Sequence, residues 1–246
     1  MKKASLLLGM VIACLCSTSP VSAQASLGSS TQYVGNGGGQ RYFEWFDTEG
    51  TRIKTAEEMG VKGTPMLHEG WGNGNVVYTN GQKLKIEKMN FSLCENKLYY
   101  TLDKRLFQIV LPVASFDITI PDNEGDDYTY RFKSGFPAID NQDELSLYEV
   151  LYEGDNIQLL QWNRKKMKEI FNYGNSREKE FVLEQQLYVY QPKEKTITAL
   201  KQAIPAIRKT LPGYSDIIHA YAEKHKLNPH NKNEVTDLIA YLDKQH

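Results

Sequence analysis

The sequence predicts an α+β fold: an antiparallel β-meander, curled into a barrel- or sandwich-like sheet, followed by three short C-terminal helices. Three observations carry this. Short runs that alternate apolar and polar residues, separated by turn residues, recur at tight spacing from about Val76 to Tyr190. Asn80-Gly81 joins two such runs, the strongest short hairpin signal. After about residue 198 the apolar spacing changes from two residues to three and four. Strands this closely spaced leave no room for crossover helices, so the sheet is expected to be antiparallel. The 15 Tyr, 9 Phe and 3 Trp suit cross-strand packing on a pleated face.

Residues 1–23 read as an export signal. Lys2 and Lys3 precede an apolar run over residues 4–16, and Val21-Ser22-Ala23 gives a small-x-small cleavage site before Gln24. A competing reading is a lipid anchor: Val11-Ile12-Ala13-Cys14 fits the lipoprotein pattern and would leave Cys14 lipidated. The site after Ala23 is the better formed, and it follows a break at Ser19-Pro20. The run is shorter than the ~20 residues that span a bilayer, and no later run reaches that length. Residues 24–40 are Gly/Ser-rich and read as a flexible lead. Residues 41–192 form the β-rich region and 193–246 the helical region packed on it.

Within the β-rich region, Phe43, Trp45 and Phe46 precede a turn, and Thr55-Ala56-Glu57-Glu58 starts a short helix closed by Gly60. Gly70-Trp71-Gly72-Asn73-Gly74 reads as turn chemistry. Val76 to Thr79 pairs with Gln82 to Lys88. Leu84 and Ile86 share one face; Met89, Phe91 and Leu93 continue in the opposite parity. That phase shift predicts a bulge near Glu87-Lys88. Leu98, Tyr100 and Leu102 alternate, and residues 105–112 form another strand. Phe116, Ile118 and Ile120 pair with Tyr128, Tyr130 and Phe132. Tyr148, Val150 and Tyr152 face Ile157 and Leu159 across Gly154-Asp155-Asn156. Residues 181–190 make a late strand.

The helical region follows. Ile204, Ile207 and Leu211 lie on one face and Pro212-Gly213 stops that helix. Ser215 is expected to cap the second, with Ile218, Tyr221, Ala222 and His225 on one stripe. Asn231 with Glu234 makes a box-like start for the third, whose stripe is Val235, Leu238, Ile239 and Leu242. Each is too short to persist alone and must dock.

Composition sets exclusions. The formal net charge is −1, and loss of Lys2 and Lys3 makes it more acidic, so no broad basic field exists for nucleic acid. Cys14 and Cys16 lie in the signal, leaving Cys94 alone and no internal disulfide.

Candidate sites weigh against plainer readings. Cys94 ends a strand beside Glu95, a poor setting for a thiolate, and reads as a small hydrophobe. His68-Glu69 lacks the second His that a zinc-protease helix needs, since position 72 is Gly. His219 and Glu223 lie one helical turn apart without a third metal ligand, and His225 is out of phase with them. Asp122, Glu124, Asp126 and Asp127 read as a solvated turn rather than a calcium loop. Arg164, Lys165, Lys166 and Lys168 read as a solvated strand end. Trp45, Trp71 and Trp162 can stack on sugars, and Trp71 is the ligand-contact candidate because its glycine neighbours leave it uncovered. No catalytic, cofactor or metal residue is expected.

Two stretches carry a resemblance: Val61-Lys62-Gly63-Thr64-Pro65 with the hairpin that follows it, and the close from Tyr214 to Lys244. Over roughly 60–102 and 195–245 they resemble a group of uncharacterised exported proteins of Bacteroidetes-type bacteria. The resemblance implies a turn, a hairpin, a strand-rich middle and a terminal helical pair, and no activity. The resulting expectation is a non-enzymatic exported protein of the periplasm or cell surface. It would bind another envelope protein or a surface component. The alternative is a β-barrel that holds a lipid or glycan inside. A hydrolase with a dispersed site ranks third.

Overall fold

The structure, a computed structural model, describes residues 45–46, 52–53, 60–102, 105–121, 127–171 and 177–245. The signal with Cys14 and Ala23, the lead, the helix start at Thr55, and Asp122, Glu124 and Asp126 lie outside those residues. Strands β1 (Trp45–Phe46) and β2 (Arg52–Ile53) pair antiparallel in a small sheet of their own. The large sheet contains β3 (Val61–Lys62), β4 (Gly72–Tyr78), β5 (Lys83–Ser92), β6 (Lys97–Leu102), β7 (Arg105–Gln108) and β8 (Val113–Pro121). It continues with β9 (Asp127–Lys133), β10 (Tyr148–Glu153), β11 (Gln158–Phe171), β12 (Arg177–Gln191) and β13 (Thr196–Leu200). Helices α1 (Ile204–Thr210), α2 (Ser215–His225) and α3 (Lys232–Asp243) close the chain, with a 3₁₀ turn at Pro212–Tyr214.

The 11 strands run in the order β13-β12-β11-β10-β9-β8-β4-β5-β6-β7, with β3 on β12. This corrects the barrel-like expectation. The sheet is open, with β7 and β13 at its ends, and the sandwich-like form is the one supported. The path bends far enough that Leu93 O, just past β5, accepts a hydrogen bond from Lys165 N–H of β11 (3.2 Å). Strands β6 and β7 continue beyond that point, so the ends do not pair. The meander is also broken twice. The hairpin of β4 and β5 leaves the other edge of β4 free, and β8 returns to fill it. Short β3 pairs in parallel with β12, Lys179 opposite Val61.

Several predicted registers hold. Phe116 opposes Phe132, Ile118 opposes Tyr130 and Ile120 opposes Tyr128. Gly72 opposes Met89 while Gly74 opposes Ile86, so the extra residue lies at Glu87-Lys88, where the parity shift puts it. The turn before it differs slightly. Tyr78 N–H donates to Gln82 O, making a three-residue loop whose last member, Gly81, takes φ +83°. In the β10–β11 hairpin a register shift between Val150 and Tyr152 moves the faces by one residue. Tyr148 and Val150 therefore join Leu160, not Ile157 and Leu159.

Gly72 and Gly74 are a further correction: they belong to β4, not to a turn. A Cβ on Gly74 would overlap the Asp117 carbonyl, and one on Gly72 the Thr119 carbonyl. Glycine here allows close approach of β8 rather than a reversal of the chain.

Three apolar clusters result. One lies inside the curved N-terminal half, where Phe91, Phe116 and Phe132 meet with ring centroids 4.6–5.2 Å apart. A second packs Ile207, Ile218, Val235, Leu238 and Ile239 of the helices onto Ile157, Leu159, Leu187 and Val189. A third lies among Phe136, Tyr148, Val150, Leu160 and Tyr188, with Trp162 packed against it. Each large buried side chain contributes about 2–3 kcal/mol of transfer free energy. Strand β13 lies past the expected boundary at 192 and supplies Leu200 to the helix layer.

Candidate functional site

Helix α2 carries two stripes. Ile218 and Ala222 point to the sheet and are buried. Ile217, Ala220, Tyr221 and Lys224 recur at offsets 0, 3, 4 and 7 and face a half-open groove of about 550 Å³. His225 adds to this side, and Tyr241 and Gln245 line the opposite wall. The His225 imidazole stacks on Tyr221 at 4.3 Å between centroids, and Tyr241 lies 5.0 Å from Tyr221. Tyr241 is 42 % exposed. Burial pushes the Tyr221 hydroxyl upward, as do the nearby Asp237, Tyr241 and Glu234, so it remains a neutral donor at neutral pH. The groove thus presents ring faces beside an ammonium, an imidazole and an amide. It can hold an amphipathic group by stacking and hydrogen bonding, and its volume lies in the range of small-molecule sites.

The inner sheet face holds a second polar constellation. Glu149, Gln161 and Asn163 are buried there. Glu149 Oε2 accepts from Asn163 Nδ2 (2.7 Å) and Gln161 Nε2 (3.3 Å). Asn163 Oδ1 accepts from Gln161 Nε2 (2.6 Å) and Gln185 Nε2 (2.8 Å). Lys232, at the start of α3, brings its ammonium to 3.9 Å from Glu149 Oε1. Phe132 lies opposite Glu149, and Leu187 opposite Gln161. The seam therefore separates the helix-side cluster from the N-terminal one.

The predicted residues fall elsewhere. Trp71 is half-buried ahead of β4 and has contacts within the chain, so the glycines beside it do not leave it bare. Trp162 packs on Tyr148. Cys94 is a free thiol that burial pushes above its ordinary pKa, and Lys165 beside it is pushed down by burial. The Lys165 ammonium donates to Met66 O (2.6 Å). Lys166 and Lys168 of the basic run share one carboxylate across β12, and their hydrogen bonds hold the Glu184 carboxyl at about 2. His68 Nδ1 accepts from Gly70 N–H. His219 and Glu223 sit 3.4 Å apart on the surface. Among the described residues no three His, Cys, Asp or Glu side chains come together as metal ligands. No helix there is long and apolar enough to cross a membrane.

No family model, characterised protein or solved structure matches the chain. The groove residues form a second α2 stripe; Tyr221 and His225, which the sequence pattern places on the inner stripe, belong to it and are half-buried and exposed. Glu149, Gln161 and Asn163 carry no sequence signal beyond being polar at strand positions that alternate inward.

Proposed function

We propose that this is an exported, non-catalytic protein of the cell envelope, periplasmic or at the cell surface, that binds a surface component on its helical side. The groove between α2 and α3 carries the reading. The apolar faces that the sequence offers for a partner are consumed by the protein's own sheet. Among the described residues the groove is a separate, half-open set of rings and donors. The N-terminal signal ending at Ala23 and the resemblance to exported proteins support the location.

The test is a photoreactive residue at Tyr241, activated in intact cells, with the same residue at Lys85 on β5 as control. The expected outcome is a recurrent envelope component at Tyr241 but not at Lys85, on a chain beginning at Gln24. Retention in the cytoplasm with Met1 intact, or equal capture at both positions, sinks the proposal.

A further inference from the structure

We draw no further inference here: the strongest candidate, the half-open groove between α2 and α3, belongs to the site already described, and with Asp237 and Glu234 near Tyr221 and that ring already packed by His225 and Tyr241, nothing in the structure shows what covers it.

Discussion

Gly74 occupies a place on β4 that admits no side chain. A Cβ there would overlap backbone of β8, the carbonyl of Asp117, which cannot move without breaking the ladder on both sides. Gly74→Ala is therefore expected to cost about 2–3 kcal/mol. Gly81 is the control: a Cβ there meets nothing within 4 Å, and only its φ of +83° resists substitution. Gly81→Ala should cost about 1 kcal/mol. Urea denaturation compares the two, and equal losses would mean that β8 yields more readily than a paired strand should. Asp243 is the other residue whose role is set by its immediate contacts. Its carboxylate accepts from Ile157 N–H (2.7 Å), Asn156 N–H (2.8 Å) and the Tyr152 hydroxyl (3.1 Å). Burial opposes the charge, but these bonds together outweigh it and hold the carboxyl below its ordinary pKa. A carboxyl depressed in the folded state adds stability above its unfolded pKa. That stability disappears as pH falls through the folded value. Asp243→Asn should cost about 1–2 kcal/mol at pH 7. The gap from the parent should narrow below about pH 4. A gap that stays constant to pH 2 would show that the charge is not what the turn reads.

Helix α3 shows how a short element is fixed at one end. Asn231 Oδ1 accepts from Asn233 N–H (3.0 Å) and Glu234 N–H (3.4 Å). Glu234 answers by accepting from Asn231 Nδ2 (2.9 Å) and Asn228 N–H (2.7 Å). Asn231→Ala should cost about 1 kcal/mol, with Asn231→Ser recovering most of it, as measured by thermal unfolding. This start was legible in the sequence because a cap is local: the seven residues from Asn228 to Glu234 contain the whole interaction. The bulge at Glu87-Lys88 was legible for the same reason, since a change of parity within one strand needs no partner to be seen. Other elements were not legible, each for a physical cause. Ser215 reads as a cap, yet it is the first residue of α2, and its hydroxyl accepts from Arg208 Nε (3.0 Å). Gly72 and Gly74 look like a turn because their strand role depends on β8, more than 40 residues away. Strand β3 is two residues long and is held by β12, a partner no local pattern indicates. The outer halves of β11 and β12 carry Arg164, Lys166, Lys168 and Glu184 on one face and exposed Met167 and Leu183 on the other. With neither face buried, the alternation that marks a strand is lost there, although the ladder continues for 14 and 15 residues.

At the scale of the molecule, one sheet face supports two apolar clusters, with the Glu149 seam lying between them. Burying a carboxylate and two amides there works against the burial of apolar surface around them. Removing the whole carboxylate should be costly, because hydrogen-bond donors are left behind. Glu149→Ala strands the buried Asn163 amide donor, while Gln161 keeps its bond to Asn163 Oδ1 and the Lys232 ammonium stays in water, an expected loss of about 2 kcal/mol. Glu149→Gln keeps an acceptor in place and should lose about 1 kcal/mol. The deciding variant replaces Glu149, Gln161 and Asn163 together with leucine. It would fuse the two clusters into one and leave no donor unpaired, so its stability should return to the parent's level or exceed it. Urea denaturation measures that recovery, and hydrogen exchange of β10 and β11 reports whether the two halves still unfold together. Recovery with a single cooperative transition would mean that the seam is not needed for folding and that its polarity works against stability. A triple variant as unstable as Glu149→Ala would mean that the seam sets the register between β10, β11 and α3, and that its polarity is structural.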